Sequence, residues 1–343
     1  MKNSGVIFSL VAIVVLFSCK KENEAWIQGD NLMADSAFAV QELKIVNQTS
    51  TEFTFELDLV KLNGANSEEI YADLNLSFNN GYYANTILSE TVETASPISD
   101  YSTVALFQSN NTAYYEDEKM TFGLRRLFET IGQNPNKRIA LVTRKKNENT
   151  ITVHQEGTDP FDNSAAFNNT TFSELLLTQV SGPNNGSGEH FRDQMLAAID
   201  LLNDCVNCTG QKSITIFDDT DGNYYPDFMS SDSVIEVAIV SGIQINVVTQ
   251  FISSVYSDMA VQTGGFIITQ REGSYIDGEP NSKVESLGIL TQSLDAFLTK
   301  SLTKHHFTFT LSEAAGAVLL SGEFHSVNGI YDNNRFEIFF KVP

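Results

Sequence analysis

Apolar residues recur along this chain with two periods, and the change between them divides it. From Ala37 to Phe78 the period is two. Phe53-Thr-Phe-Glu-Leu-Asp-Leu-Val and Ala72-Asp-Leu-Asn-Leu-Ser-Phe alternate apolar and polar positions, which predicts half-buried β-strands. Asn63-Gly64-Ala65-Asn66 between them is turn chemistry. Residues 79–102 are rich in Ser, Thr and Asn and read as loop or weak strand. At Thr103 the texture changes. Val104-Ala-Leu-Phe suits a strand buried on both faces. Met120, Leu124, Leu127, Phe128 and Ile131 then fall on one helical face, and Gly132 and Pro135 stop that helix.

The alternation of element types continues. Arg138 to Thr143 and Thr150 to His154 read as strands, and Glu189 to Asn203 as a helix with Met195, Leu196, Ile199 and Leu202 inward. Ser213 to Phe217, Ile243 to Val248 and Phe266 to Ile268 read as strands. Val234–Val240, Ile252–Gln262 and Val284–Leu302 read as helices. Strands alternating with helices imply a mainly parallel sheet covered on both faces. After Lys304 the period returns to two, in Phe307 to Leu311, Ala317 to Phe324 and Phe336 to Val342. The fold class is therefore α/β, with the helix-flanked sheet inserted in or appended to a β-sandwich formed by N- and C-terminal strands. The expected segments are 1–18 leader, 19–35 tether, 36–102 N-terminal β region, 103–302 α/β domain and 303–343 C-terminal β region.

The leader is read from Lys2, the apolar run Val6–Phe17 and Leu16-Phe17-Ser18-Cys19, followed by Lys20-Lys21-Glu22. A cationic start, a short apolar stretch and a small residue before a cleavage point make a secretory signal. The run is shorter than the about 20 residues that span a bilayer. With Cys directly after Ser18, it resembles a bacterial lipoprotein signal, and the polar segment after it resembles the tether of Bacteroidetes-type lipoproteins. That resemblance implies acylation of Cys19, a membrane partner through the lipid, and a place at the cell envelope, in the outer membrane or at the surface.

Charge narrows the partners. Removing residues 1–18 takes away one Lys and leaves 20 cations against 43 acids, a net charge of −23. Such a chain lacks the basic face that phosphate neutralisation needs, so nucleic acid is an unexpected ligand. Anionic headgroups repel it as well, leaving attachment to the acyl chain. Cys205-Val-Asn-Cys208 follows a helix rather than opening one. In an oxidising compartment it reads first as a structural disulfide and only second as a redox pair. Catalytic constellations are sparse: five scattered His, no Gly-x-Ser-x-Gly elbow, no His-Glu-x-x-His helix and no phosphate loop. His305-His306 at the start of a strand should face opposite sides, in packed or solvated roles. Asp218-Asp-Thr-Asp-Gly-Asn fails as an EF-hand, because Phe217 and Phe228 stand where its first and twelfth ligands belong. We expect a protein that is not an enzyme.

Four stretches carry a further resemblance: Arg138-Ile-Ala-Leu-Val-Thr, Lys212-Ser-Ile-Thr-Ile-Phe-Asp-Asp, Ser241-Gly-Ile-Gln-Ile-Asn-Val-Val, and Val255 to Ile267 with its Thr-Gly-Gly turn. In this order they resemble a von Willebrand factor A (VWA) domain over about Thr103 to Leu302. The resemblance implies a Rossmann-type sheet with a divalent-cation adhesion site at the carboxyl ends of its strands. It places Asn110, Thr112, Ser187, Glu189 and Asp219 as ligands. Gln108 stands where the family has its first Asp, and losing that carboxylate predicts a degenerate or weak site for Mg²⁺ or Ca²⁺. The expected function is a binding or adhesion module for a protein or glycan. The alternative is a metal-independent structural subunit of an envelope complex.

Overall fold

The computed structural model describes residues 38–62, 71–78, 84–108, 118–132, 134–144, 151–154, 159–161, 188–218, 231–249, 254–269, 282–312, 316–326 and 334–342. The leader, Cys19 and the tether lie outside them, as does the expected short helical piece near Leu175–Leu177.

The α/β part is built as its apolar periods predict. Strand β5 (Tyr101–Gln108) pairs in parallel with β6 (Lys137–Arg144) on one side and β8 (Gln211–Asp218) on the other. Beyond β8 come β9 (Ile243–Thr249) and β10 (Ile267–Thr269), also parallel. The short β7 (Ile151–His154) closes the other edge antiparallel to β6. Side chains alternate between the two faces of each strand, so each face needs its own cover. Helices α1 (Glu118–Gly132) and α5 (Ser282–Thr299) pack together on one face. Leu124, Leu127, Phe128 and Ile131 of α1 are buried there with Ala105, Leu141, Phe217, Val248, Leu294 and Phe297. Helices α2 (Gly188–Asp204), α3 (Ser231–Val240) and α4 (Ser254–Thr263) cover the other face. Phe191, Met195, Ile199, Val234, Ala238, Tyr256 and Met259 meet Leu106, Val142, Ile214, Ile245 and Val247 in that layer. Each fully buried aliphatic or aromatic side chain stabilises the fold by about 1.5–3 kcal/mol.

The two terminal regions pair with each other, as the return to period two implies. Strand β11 (Leu302–Ser312) lies antiparallel between β2 (Glu52–Lys61) and β4 (Ala84–Ala95). Strand β12 (Gly316–Ser326) lies between β3 (Tyr71–Phe78) and β13 (Asn334–Val342) in a separate three-stranded sheet. The larger set does not stop at the α/β boundary. Strand β1 (Phe38–Gln48) pairs with β2 over nine positions and with β10 through Phe38, Ala39 and Val40. One ten-stranded sheet results, ordered β4-β11-β2-β1-β10-β9-β8-β5-β6-β7. Strand β13 runs beside α4. The small sheet thus lies on the side toward which Phe55, Phe307, Phe309 and Leu311 turn, and all four are buried. Phe55 and Phe309 stack with centroids 5.3 Å apart. β4 decides the reading of 79–102 as loop or weak strand in favour of strand: twelve of those residues form one. Among the described residues no helix is long and apolar enough to cross a membrane.

Candidate functional site

The chain reverses direction across the sheet at β5. One connection leaves β5 through α1 toward β6, and the later one reaches β8 through α2 on the opposite face. The two connections leave on opposite faces, so the carboxyl ends of β5 and β8 mark a topological switch point, the place where open α/β sheets take ligands. Register sets a row of residues along that edge. Gln108 pairs with Asp218, Asp218 with Thr249, and Thr249 with Thr269. Asp218, Thr249 and Thr269 are buried.

Of the sequence-derived ligands, Glu189 falls in the first turn of α2. Asn110, Thr112, Ser187 and Asp219 lie outside the described residues. β5 ends in the neutral Gln108, and Asp218 is the carboxylate that strand pairing sets beside it. Among the described residues no group of three or more His, Cys, Asp or Glu could hold a metal ion. Asp218, Thr249 and Thr269 were missed as edge residues. The signal was available, since each ends an apolar run that a parallel sheet aligns in register.

Beneath the edge the sheet is polar where a fully apolar interior is usual. The hydroxyls of Tyr101 and Thr103 both hydrogen-bond Thr215 Oγ1, at 3.1 and 2.8 Å. Asn246 Nδ2 donates to the Tyr101 hydroxyl at 3.1 Å, and Asn246 Oδ1 accepts from the Phe266 N–H at 3.0 Å. The Thr263-Gly264-Gly265 turn docks on the same strand: Ile245 N–H donates to Thr263 Oγ1 at 2.8 Å. A β-carbon on Gly265 would sit 2.1 Å from the Ile245 carbonyl oxygen, so only glycine permits this approach. The Thr-Gly-Gly signature is thus a packing device here.

The expected disulfide is present. Cys205 and Cys208 are bridged with Cα atoms 5.4 Å apart, just past the end of α2. The two adjacent His do face opposite sides. His305 is buried, 3.3 Å from Glu90 Oε1 and stacked on Phe307. His306 Nδ1 lies 2.5 Å from Asp58 Oδ1, and Lys304 Nζ lies 2.9 Å from Asp58 Oδ2. Burial lowers the Lys304 pKa, but the hydrogen bonds it donates to Glu93 and Asp58 more than offset it and the net direction is upward. Two further groups are tuned by burial. His154, against Thr143 Oγ1 at 2.6 Å, has its pKa pushed down to about 4. Asp295 is pushed up by burial, against the opposing pull of Thr130 and Arg126.

No protein-family model matches this chain, and no curated protein matches it. Solved structures do. The VWA domain of SpRpn10 aligns at 14% identity and TM-score 0.37, over 55% of this chain and 93% of that one. The manganese-loaded TRAP protein of Plasmodium vivax aligns at 12% and 0.32, over 74% and 99%. The PilB minor pilin of Streptococcus sanguinis aligns at 10% and 0.34, over 76% and 79%. The strand order and register carry the fold class: the helix-flanked part of this chain is a VWA-like, Rossmann-type sheet with its switch point at β5 and β8.

Proposed function

We propose that this chain is a non-enzymatic binding or adhesion module of the cell envelope, anchored through lipid on Cys19. Its ligand, a protein or glycan, would be taken at the carboxyl edge of the VWA-like sheet. One observation carries the reading: Gln108 and Asp218 end adjacent strands side by side at the switch point. Loops leaving that edge would carry Asn110, Thr112, Ser187 and Asp219 around it, with Glu189 at the start of α2. Gln108 in place of a carboxylate favours recognition through hydrogen bonds, with Mg²⁺ or Ca²⁺ at most weakly held. The same substitution supports a second reading, a metal-independent structural subunit of an envelope complex.

Calorimetric titration of Mg²⁺, Ca²⁺ and Mn²⁺ into the mature chain, with Asp219→Ala as control, separates the two. Heat of binding at millimolar cation or below that disappears in Asp219→Ala would support an adhesion site rebuilt without its first carboxylate. Absence of heat, together with a stable partner recovered on a Cys19-anchored bait, would support the structural subunit.

A further inference from the structure

We propose a second interaction surface at the opposite edge of the sheet, shaped for an apolar segment flanked by Lys or Arg. It goes beyond the reading above, using neither the carboxyl edge nor a metal. Helix α2 ends at Asp204 immediately before the bridge, and α3 ends at Val240. Asn203 Nδ2 donates to Ser241 Oγ at 3.3 Å, tying the two helix ends together. Val206 stands between the bridged cysteines and is 93% exposed. On α3, Val240 is 88% exposed, and Val237, one turn earlier, is 40% exposed. Val237, Val240 and Ser241 share one flank of that helix by their spacing, and Ser241 is the residue fastened to α2. Three exposed aliphatic side chains therefore lie on two segments that this hydrogen bond joins, one of them closed by the covalent bridge.

The surroundings are anionic for two independent reasons. Asp200 and Asp204 of α2 and Glu236 of α3 are exposed in the last two turns of the same two helices. Both helices also point their carboxyl ends here, and neither has a basic residue in its last turn. The negative end of the α3 dipole has no basic residue of its own helix beside it, and that of α2 is met by one lysine from β8. Lys212 caps one carbonyl, its Nζ donating to Leu202 O at 2.9 Å, and is half-buried in doing so. An apolar centre with an anionic rim selects a ligand of the converse pattern: apolar anchors for the valines, cations for the rim. Anionic membrane lipid fails that test by charge, so the occupant is a basic amphipathic segment of another protein.

The test uses the mature chain and a fluorescein-labelled amphipathic leucine–lysine peptide, followed by fluorescence anisotropy. A leucine–glutamate peptide of the same pattern is the control. The expected result is binding of the lysine peptide that weakens about ten-fold in Val206→Ser/Val240→Ser and again in Asp204→Lys/Glu236→Lys, a tenfold step being about 1.4 kcal/mol. The remote reversal Glu52→Lys should leave it unchanged. All substituted side chains are exposed, so thermal melts of the variants should match the parent. Equal binding across all variants means non-specific attraction to an acidic protein and overturns the proposal. Equal binding of the glutamate peptide overturns it too, as does a self-dimer of the chain that Val206→Ser/Val240→Ser dissolves.

Discussion

Two adjacent glycines in the Thr263-Gly264-Gly265 turn do different work, and substitution separates them. Gly264 has φ +69°, and a β-carbon there would meet only Gln244 Nε2 at 3.7 Å. Gly264→Ala should cost about 1–2 kcal/mol from the left-handed backbone alone. Gly265→Ala drives a methyl into the Ile245 carbonyl, and β9 must shift. A loss of about 3 kcal/mol is expected, with chemical denaturation as the measurement. His154 offers a pH-dependent check. Its folded pKa of about 4 lies below the ordinary histidine value of 6.5, so between those values the unfolded chain binds the extra proton. The stability linked to His154 is fully present above about pH 6.5 and is lost as pH falls toward 4. Urea melts at pH 7.5 and pH 5 should show that loss, and His154→Gln should reduce it.

At the scale of elements, α1 and the bridge make complementary predictions. Phe128 is buried between α1, the sheet and α5. Phe128→Ala should cost about 3–5 kcal/mol, read from the denaturation midpoint. Cys205–Cys208 closes a loop of four residues, so Cys205→Ser/Cys208→Ser should cost only about 2 kcal/mol in the chain-entropy account. The same double variant should leave the lysine peptide bound less tightly, because Val206 loses its fixed position. These elements were legible in the sequence because their signals are local: α1 and α2 through helical spacing, β8 and β9 through unbroken apolar runs. β4 was not. Ala-Asn-Thr-Ile-Leu-Ser-Glu-Thr-Val-Glu-Thr-Ala alternates too weakly to predict a strand, and it becomes one through β11, more than two hundred residues later. His305 and His306 show the same division. Alternation alone predicted their opposite faces, but Glu90 and Asp58 lie 215 and 248 residues away, a pairing only the folded register supplies. The candidate edge was half legible: the family resemblance named Gln108, while the Asp218–Thr249–Thr269 row needed the register.

For the whole molecule, the junction between β1 and β10 matters most. It merges an antiparallel set and a parallel set into one sheet, so neither has a free edge where they meet. A fragment spanning 103–302 would expose β10 and cut β5 after its second residue, removing Tyr101 and its bonds to Thr215 and Asn246. That fragment should melt well below a 38–343 chain, or aggregate through the bared strand. A calorimetric scan of each decides it, with equal melting temperatures counting against the junction.

The same junction determines how the molecule would respond to force. Phe38, where a tether from Cys19 would enter the sheet, pairs with Thr269 at the end of β10, on the edge that also carries Gln108 and Asp218. A load between a lipid anchor and a ligand at that edge would run across the strands, along the direction of their hydrogen bonds. Ladders pulled this way open one rung at a time, and the β1–β10 ladder has three paired positions against nine for β1–β2. The seam would give first, paying out length while the VWA-like sheet and its proposed ligand edge stayed folded. In an optical trap this should appear as a small extension step at low force before the main rupture.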